Sequence, residues 1–314
     1  MNHRRRGFAL IAAIWLMVAL GALGIEIATL ARTRRLSAAN RAEATQSSAA
    51  AEAGLEHARA RLIRLVNDVP TTPSGVPLRD PWIGISSLMQ DTVSLEHARY
   101  RLRLADANAR VNVNLADDAT LQRLVRATGA EPETATTLTH AILDWRDADD
   151  VSRFGGSEQA LYQRAGLPVL PRNAPLVRIE ELRDLYGMTP ALFERLRPFV
   201  SVDGDGRINV NTAESVVLRS LPAFTEDVVG VLRQLRTRGV VITSFEQLIA
   251  ALPVGNRTSL RDAFAELNVQ LTFDTRLVTV ESEGWVDGSP VRVTHRVELS
   301  RGNGAVFVSA GRLP

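Results

Sequence analysis

The sequence predicts an α+β protein in which a long N-terminal helix packs on a small antiparallel sheet and a large all-helical domain is inserted within the sheet domain. Three observations support this fold class. An apolar run starts at Phe8 and continues as a helical pattern to about Val66. Residues 99–104 and four runs near the C terminus alternate with the period of a strand. Helical patterns fill most of the sequence between these strands.

The N-terminal run is long enough to cross a membrane. Between Phe8 and Ala31 the only charged residue is Glu26. This length exceeds the 7–15 residues of a secretory signal core and reaches the roughly 20 residues of a membrane-spanning helix. We therefore predict a transmembrane segment over residues 8–31 and a helical stalk over residues 32–66. A signal peptide cut after Ala31 and an uncut signal anchor are the alternatives that this pattern leaves open.

The predicted sheet is divided between two distant parts of the sequence. Its strands are residues 99–104, Arg276–Glu281, Gly284–Val286, Val291–Leu299 and Ala305–Ser309. Residues 67–97 are predicted to form a loop with one short element around Leu88. The sheet domain is therefore assigned to residues 67–110 and 273–314, and the inserted helical domain to residues 111–272.

The helical insert contains an internal repeat. Arg110–Asp117 (RVNVNLAD) reappears as Arg207–Glu214 (RINVNTAE), and each stretch precedes an apolar periodic segment, Leu121–Ala127 or Val216–Leu221. The Asn, Thr and Asp side chains of the repeat can cap the start of a helix. The stretch Asp203–Gly206, just before the second copy, is predicted to be a turn. The other helices predicted in the insert are residues 133–145, 179–185, 190–196, 226–236 and 244–252.

The charge is unevenly distributed along the chain. The composition, with 45% hydrophobic and 23% charged residues, is ordinary for a globular protein, and there is no cysteine. Residues 1–66 contain ten arginines and four acids, so with a total net charge of +2 the remaining residues carry −4. The globular part is therefore mildly acidic, which weakens any case for binding a polyanion through bulk charge.

Acidic residues collect where the helix over residues 133–145 is predicted to end. They are Asp144, Asp147, Asp149, Asp150 and Glu158. A helix C terminus carries partial negative charge, so each nearby acid is unfavourable by roughly 0.3–1 kcal/mol. A hard cation with oxygen ligands would neutralise them, and Ca²⁺ suits a flexible acidic loop. The spacing is not that of an EF-hand, so a solvated acidic loop is the open alternative.

The sequence shows no catalytic arrangement. Its five histidines are scattered: His3, His57, His97, His140 and His295. No serine lies in a nucleophile elbow, and no Gly-rich loop precedes a lysine. We therefore expect a protein that is not an enzyme.

Short motifs along the N-terminal helix resemble those of type IV pilins and pseudopilins. Gly7-Phe8 follows a six-residue basic leader and resembles the site that prepilin peptidase cuts. Ala51–Ala58 (AEAGLEHA) resembles the segment where the stalk of these proteins enters the globular head. The fifth residue after Gly7 is Ala12, whereas most pilins carry Glu at this position.

One branch of this superfamily also lacks that Glu, and several motifs of the insert resemble the same branch. The insert motifs are Asp144–Asp150 (DWRDADD), Gly155–Glu158 (GGSE), Arg172–Pro175 (RNAP) and Glu181–Arg183 (ELR). They are similar to those of the protein K family, the minor pseudopilins of type II secretion systems. Gln159 stands where some members carry a further acid, and a cysteine pair of some members is missing.

The resemblance implies a fold, a maturation step and a function. It implies a pseudopilin fold, residues 1–7 as a prepilin leader, and cleavage between Gly7 and Phe8 with N-methylation of Phe8. It implies a single-pass protein of the bacterial inner membrane with a periplasmic head. The implied function is a minor pseudopilin at the pseudopilus tip that starts assembly and supports export of folded proteins. The implied partners are the minor pseudopilins I and J, the major pseudopilin, prepilin peptidase and the inner-membrane assembly platform, and the implied cofactor is Ca²⁺.

A second resemblance gives the alternative function. The Asn-x-Asn-Thr-Ala motif at Asn209–Ala213, followed by SAM-like helix–hairpin–helix units, resembles the DNA-binding tails of competence proteins. Those modules hold a phosphate with backbone N–H groups of a Gly-rich hairpin. Here the hairpin Leu221–Thr225 contains no Gly, and the hairpin Tyr186–Thr189 contains one. We therefore expect no nucleic-acid partner, and a membrane-anchored DNA-binding protein of a competence or pilus system is kept as the alternative.

Overall fold

The computed structural model describes residues 3–68, 70, 73, 92–301 and 307–312, with side chains described for residues 13–65, 67, 68, 70, 73 and 92–300. The short element predicted around Leu88 lies outside these residues. The helices are α1 His3–Asn67, α2 Asp118–Ala127, α3 Pro132–Arg146, α4 Glu158–Arg164, α5 Pro190–Leu196, α6 Ser215–Leu218, α7 Glu226–Thr237, α8 Phe245–Ala251, α9 Val254–Asp262 and α10 Phe264–Gln270. Short 3₁₀ helices span Ala107–Ala109, Ile179–Asp184 and Arg197–Phe199. The helix predicted over residues 179–185 is therefore a 3₁₀ helix, one residue shorter than predicted.

Nine strands are present among the described residues, and five of them form the main sheet. The strands are β1 Thr92–Ser94, β2 Ala98–Asp106, β3 Val111–Asn112, β4 Val200–Ser201, β5 Ile208–Asn209, β6 Leu271–Thr272, β7 Leu277–Val286, β8 Arg292–Arg301 and β9 Phe307–Arg312. The order of the main sheet is β1-β2-β7-β8-β9. The outer pairs, β1 with β2 and β8 with β9, are antiparallel. The two runs predicted as separate strands, Arg276–Glu281 and Gly284–Val286, form the single strand β7, so that division was wrong.

The long N-terminal helix is confirmed. α1 continues for 65 residues, which corresponds to about 100 Å at 1.5 Å per residue. Its part from Ala13 to Leu65 contains an 18-residue window with a mean hydropathy of 2.0, and the helix is by length and composition able to cross a membrane. The same helix therefore carries both the candidate membrane span and, from Ser47 onward, residues that are buried in the fold.

The chain divides into two compact units. One consists of Met1–Gly54, Thr92–Arg101 and Glu283–Thr294. The other consists of Leu55–Asp91, Leu102–Ser282 and His295–Pro314. The division passes through β2, β7 and β8 and does not coincide with the predicted inserted domain. The boundaries of that domain, residues 111–272, therefore stay a prediction.

In the first unit, α1 lies directly against β7. Gly284 has no side chain, and a Cβ built on it would overlap the Ser47 carbonyl oxygen and the Ala51 amide nitrogen and would lie 3.0 Å from the Ala51 Cα. Further along the same face, Ser289 Oγ donates a hydrogen bond to Glu43 Oε2 at 2.6 Å. Only glycine at position 284 allows the strand and the helix backbone to approach this closely.

In the second unit, the sequence repeat is a structural repeat. We call residues 110–146 copy one and residues 207–237 copy two. Each copy starts with a two-residue parallel strand pair, β3 with β4 and β5 with β6. Each then turns through the same contact, in which Asn112 Oδ1 accepts from Asn114 N at 2.9 Å and Asn209 Oδ1 accepts from Asn211 N at 3.0 Å.

Each copy is closed by an arginine at the end of its second helix, α3 in copy one and α7 in copy two. Arg146 in copy one and Arg236 in copy two donate both terminal nitrogens to backbone carbonyls of the Asn turn. The accepting carbonyls occupy the same positions of the repeat: Val113 and Ala116, Val210 and Ala213. Because each buried carbonyl gains a charged donor, this arginine clasp fixes the helix end on the turn.

The two copies differ at the helix start that follows the turn. Asp117 caps α2 by accepting from Thr120 N at 2.7 Å, and its other oxygen accepts from Gln270 Nε2 at 2.9 Å. Glu214, at the same repeat position, makes no capping hydrogen bond to α6. We expect Asp117→Ala to lower the free energy of unfolding by about 1–2 kcal/mol, because loss of an N-cap typically has this effect.

The matched control for this prediction is Glu214→Ala, which should change stability by less than about 0.5 kcal/mol. Urea denaturation of the full chain in detergent would measure both variants. Equal losses in the two variants would contradict the assignment of capping to Asp117 alone.

The predicted turn at Asp203–Gly206 is present between β4 and β5. Gly204 and Gly206 have φ values of +91° and +84°, which favour glycine. Asp203 pairs with Arg296, and Gly204 N donates to Glu298 Oε2 at 2.9 Å. The turn is therefore fastened to β8 within the second unit.

Candidate metal centre

The acidic residues predicted as ligands lie between the end of α3 and the start of α4. Asp144 is within the last turn of α3, and Asp147 directly follows this helix. Glu158 is the first residue of α4, which Ser157 caps by accepting from the Ala160 amide. The two helix ends are therefore joined by a loop over residues 147–157, which reverses the direction of the chain.

The loop is closed by its own backbone. Val151 and Ser157 form an antiparallel bridge, and Ser152 N donates to the Gly156 carbonyl at 2.9 Å. Gly155 and Gly156 adopt φ values of +88° and +82°, which residues other than glycine rarely adopt. This tight return brings the start of α4 back to the end of α3.

Three of the five predicted ligands come together. Asp144, Asp147 and Glu158 each offer a carboxylate oxygen, and these oxygens lie within 4.8 Å of one another. We call these residues the carboxylate cluster. Asp144 and Glu158 are buried, with exposed fractions of 2% and 0%, and Asp147 is half-buried.

Asp149 and Asp150 lie outside the cluster. Asp149 Oδ1 accepts from Val151 N at 2.9 Å, and Asp150 accepts from Ser157 Oγ at 2.6 Å and from Gln159 N at 3.2 Å. Both side chains are exposed and stabilise the turns of the loop. They are within the acidic segment but have local hydrogen-bonding roles, so their assignment as ligands stays a prediction.

The polar atoms of the cluster are incompletely paired. Both oxygens of Glu158 and Oδ1 of Asp147 are buried without a hydrogen-bond partner among the described residues. Burying an unpaired carboxylate is costly, and buried polar groups in folded proteins are nearly always satisfied. A cation bound by these oxygens would satisfy them. The donor set consists of oxygens only, which fits a hard cation such as Ca²⁺.

Burial and mutual repulsion affect the protonation of the cluster. Desolvation, followed by repulsion from Asp144 and Asp147, raises the pKa of Glu158 to about 8. Burial also raises the pKa values of Asp144 and Asp147, and for Asp147 repulsion from Asp149 adds to this effect. Without a cation, the fold therefore favours the neutral form of Glu158.

This protonation predicts a pH dependence of stability in the presence of a chelator. Between its usual pKa of 4.5 and about 8, folded Glu158 holds a proton that the unfolded chain releases. Raising the pH through this window therefore favours unfolding, and the free energy of unfolding should fall. Urea denaturation of the full chain in detergent at a series of pH values would measure this slope. Glu158→Gln should flatten it, and an identical slope in both proteins would contradict the prediction.

Aromatic side chains support the cluster from the protein interior. Trp145 and Tyr162 are fully buried with ring centroids 6.2 Å apart, and the Tyr162 hydroxyl accepts from Tyr186 N at 3.0 Å. On the loop side, the Phe154 ring contacts the rings of His140 and Tyr186. Aromatic packing therefore contributes to holding the ends of α3 and α4 in place, in addition to any bound cation.

Sequence reasoning missed Arg153, which lies in the same loop. Its Nε atom is 3.2 Å from Asp144 Oδ1, and its Nη2 atom is 3.5 Å from Asp147 Oδ2. An arginine between two groups of acids is a signal that could have identified it. The predicted processing site, Gly7 and Phe8, and the position Ala12 lie in α1 but outside the residues with described side chains, so their roles stay predictions.

One hairpin of the DNA-binding alternative has an alanine and two acids at the place where a phosphate would bind. At Leu221–Thr225 the left-handed position is taken by Ala223, with a φ of +61°. The helix that follows, α7, starts with Glu226 and Asp227. Acids in a first helical turn occupy the place where a phosphate would bind and repel it.

Comparisons with known proteins identify relatives of this chain. A family model described as type II secretion system (T2SS), protein K, matches residues 98–204, which include the carboxylate cluster. Type II secretion system protein K of Klebsiella pneumoniae is 28% identical over 229 residues, and this alignment covers 68% of each chain. The protein of the same name from Pectobacterium carotovorum subsp. carotovorum is 36% identical over 92 residues, which cover 28% of each chain.

A solved structure shares the fold. A chain in the crystal structure of the GspK–GspI–GspJ complex from the enterotoxigenic Escherichia coli type 2 secretion system is 22% identical to this chain. The match has a TM-score of 0.64 and covers 90% of this chain and 98% of that chain. This likeness supports the predicted α+β fold class, with its long N-terminal helix and small antiparallel sheet.

Proposed function

Because this chain belongs to the protein K family of the type II secretion system, we propose that it is a minor pseudopilin at the tip of the pseudopilus. There it initiates assembly and supports export of folded proteins across the outer membrane. The observation that carries this proposal is α1, whose apolar first part can cross a membrane and whose later part packs against β7. A pilus-like subunit requires such a helix, because the same element anchors it before assembly and joins it to its neighbours afterwards.

The proposed location at the tip depends on Ala12. In most pilins a Glu at this position is thought to pair with the N-terminal amine of the next subunit, since a charge buried in the filament needs a partner. Ala12 carries no charge and requires no such partner. A subunit without this requirement suits the end of a filament.

The proposed partners are homologues of the minor pseudopilins I and J. The related chain was solved in a complex of GspK, GspI and GspJ, and this supports an equivalent complex here. During assembly the chain would also contact the major pseudopilin and the inner-membrane assembly platform. The proposed location is the inner membrane, with one membrane span and a periplasmic head.

The carboxylate cluster is proposed to hold Ca²⁺, supported by the unpaired buried oxygens of Glu158 and Asp147. A bound cation would supply the positive charge that allows all three carboxylates, including Glu158, to be ionised together. Asp144 and Asp147 would hold it from the end of α3, and Glu158 from the start of α4. The site would therefore act as a structural link between two helix ends and not as a catalytic centre.

The proposal is tested by isolating the full chain from membranes of its host and measuring its intact mass and N-terminal sequence. We expect a chain that starts at N-methylated Phe8 and co-purifies with homologues of proteins I and J. The control is a strain without prepilin peptidase, in which the chain should keep residues 1–7. A chain that starts at Met1 in both strains and co-purifies with no minor pseudopilin would overturn the proposal.

A further inference from the structure

We propose that Arg153 is an internal counter-ion of the carboxylate cluster, that a divalent cation displaces its guanidinium, and that Arg153 therefore sets the cation affinity. This inference rests on the proposed cation site. The guanidinium contacts Asp144 Oδ1 at 3.2 Å and Asp147 Oδ2 at 3.5 Å, and these are two of the three cluster residues. A cation and the guanidinium therefore compete for the same two carboxylates.

The guanidinium neutralises the cluster only in part. It carries one positive charge, and both oxygens of the third member, Glu158, are left without a hydrogen-bond partner. A divalent cation carries two charges and can contact all three carboxylates, because their oxygens lie within 4.8 Å of one another. The cation is therefore the better occupant when it is available, and the arginine is the occupant when it is not.

The side chain of Arg153 can leave without unfolding the loop. It is 44% exposed, whereas the side chain of Asp144 is 3% exposed. The backbone makes a separate contact, in which Arg153 N donates to Asp144 Oδ2 at 3.0 Å. Ser152 Oγ also donates to Asp144 Oδ2, at 3.1 Å. Asp144 thus keeps two donors on one oxygen when the guanidinium moves into solvent, and its other oxygen becomes free for the cation.

Competition with Arg153 should weaken cation binding by a measurable factor. Ion pairs of this exposure are weak individually, but Arg153 has two partners in the cluster. Removing the guanidinium charge should therefore tighten cation binding by about tenfold. Lys at this position keeps the charge and should bind with an affinity within about threefold of the original chain.

The test is a calorimetric titration of the full chain in detergent with CaCl₂ after removal of metals with a chelator. Arg153→Gln should bind Ca²⁺ about tenfold more tightly than the unmodified chain. Arg153→Lys controls for the shape of the side chain. Arg164→Gln controls for net charge, since Arg164 is exposed on α4, donates to the Ala160 carbonyl of its own helix and should leave the affinity unchanged. Thermal unfolding in chelator checks that each variant is folded, and Arg153→Gln should be the least stable of them until Ca²⁺ is added.

The outcomes separate this inference from the proposed site. Equal or weaker binding by Arg153→Gln, with binding by the unmodified chain, would overturn the role of Arg153 and leave the site intact. An equal gain in Arg164→Gln would show a general charge effect and would also overturn it. No binding by any of the four proteins would overturn the cation site itself, and the inference with it.

Discussion

Replacing Glu158 with glutamine should abolish the stabilisation of the chain by Ca²⁺. Glu158 is fully buried, and both of its oxygens lack hydrogen-bond partners among the described residues. A ligand at one hundred times its dissociation constant stabilises a folded protein by about 2.7 kcal/mol, and this gain should disappear when the cluster loses a charged ligand. Thermal unfolding of the full chain in detergent, with chelator or with saturating CaCl₂, measures the gain directly.

The glutamine variant should also be more stable than the unmodified chain in chelator at pH 8. Burial and the neighbouring carboxylates raise the pKa of Glu158 to about 8, and the neutral amide avoids this unfavourable ionisation. The matched control is Asp149→Asn, which changes a predicted ligand that lies outside the cluster and keeps an oxygen that can accept from Val151 N. A full Ca²⁺ response in Glu158→Gln, or its loss in Asp149→Asn, would show that the cluster has been assigned to the wrong residues.

Replacing Gly284 with alanine should destabilise the packing of α1 on β7. The added Cβ would overlap backbone atoms of Ser47 and Ala51, and neither backbone atom can rotate away as the end of a side chain could. The strand or the helix must therefore shift, and we expect a loss of about 3 kcal/mol, at the upper end of the range for overpacked sites. Urea denaturation of the full chain in detergent and resistance of the 40–54 segment to protease measure this loss.

The control for this prediction is Gly230→Ala. Gly230 lies within α7, and a Cβ added there meets no atom within 4 Å. Alanine is favoured over glycine in a helix interior by about 1 kcal/mol, so this variant should be slightly more stable. The same chemical change should therefore have opposite signs at the two positions. A neutral Gly284→Ala variant would mean that α1 and β7 are not held at the distance described.

The fold elements that follow from local signals were predicted well. The helix predicted over residues 190–196 has the same bounds as α5, because Thr189 caps it and Pro190 occupies its first turn. The repeat was also predicted, since the same eight positions recur in both copies. The two-residue parallel pairs β3–β4 and β5–β6 were not, because each joins segments more than 60 residues apart that lack a strand-length pattern. β7 was divided in the prediction because Ser282 and Gly284 interrupt its apolar alternation, yet both are buried.

The candidate site was predicted in composition but not in geometry. The sequence placed five acids in one segment, but the choice of Asp144, Asp147 and Glu158 depends on how the loop over residues 147–157 folds back. Asp149 and Asp150 are also acids, but their oxygens accept from the backbone amides of Val151 in the loop and Gln159 in α4. The position of Arg153 between two groups of acids is visible in the sequence, but its contacts with Asp144 and Asp147 depend on how this loop folds back.

Because both copies contain the arginine clasp, the end of α7 can serve as an internal control for the end of α3. In copy one, Asp144 lies two residues before the clasp arginine Arg146, and Asp147 directly follows it. The equivalent residues around Arg236 in copy two are Gln234 and Thr237. The clasp therefore forms in copy two at a helix end that bears no acid and needs no cation. Withdrawal of a cation should loosen the end of α3 and leave the end of α7 unchanged. Amide hydrogen exchange would compare, within a single molecule, the helix end that carries the acids with the equivalent helix end that lacks them.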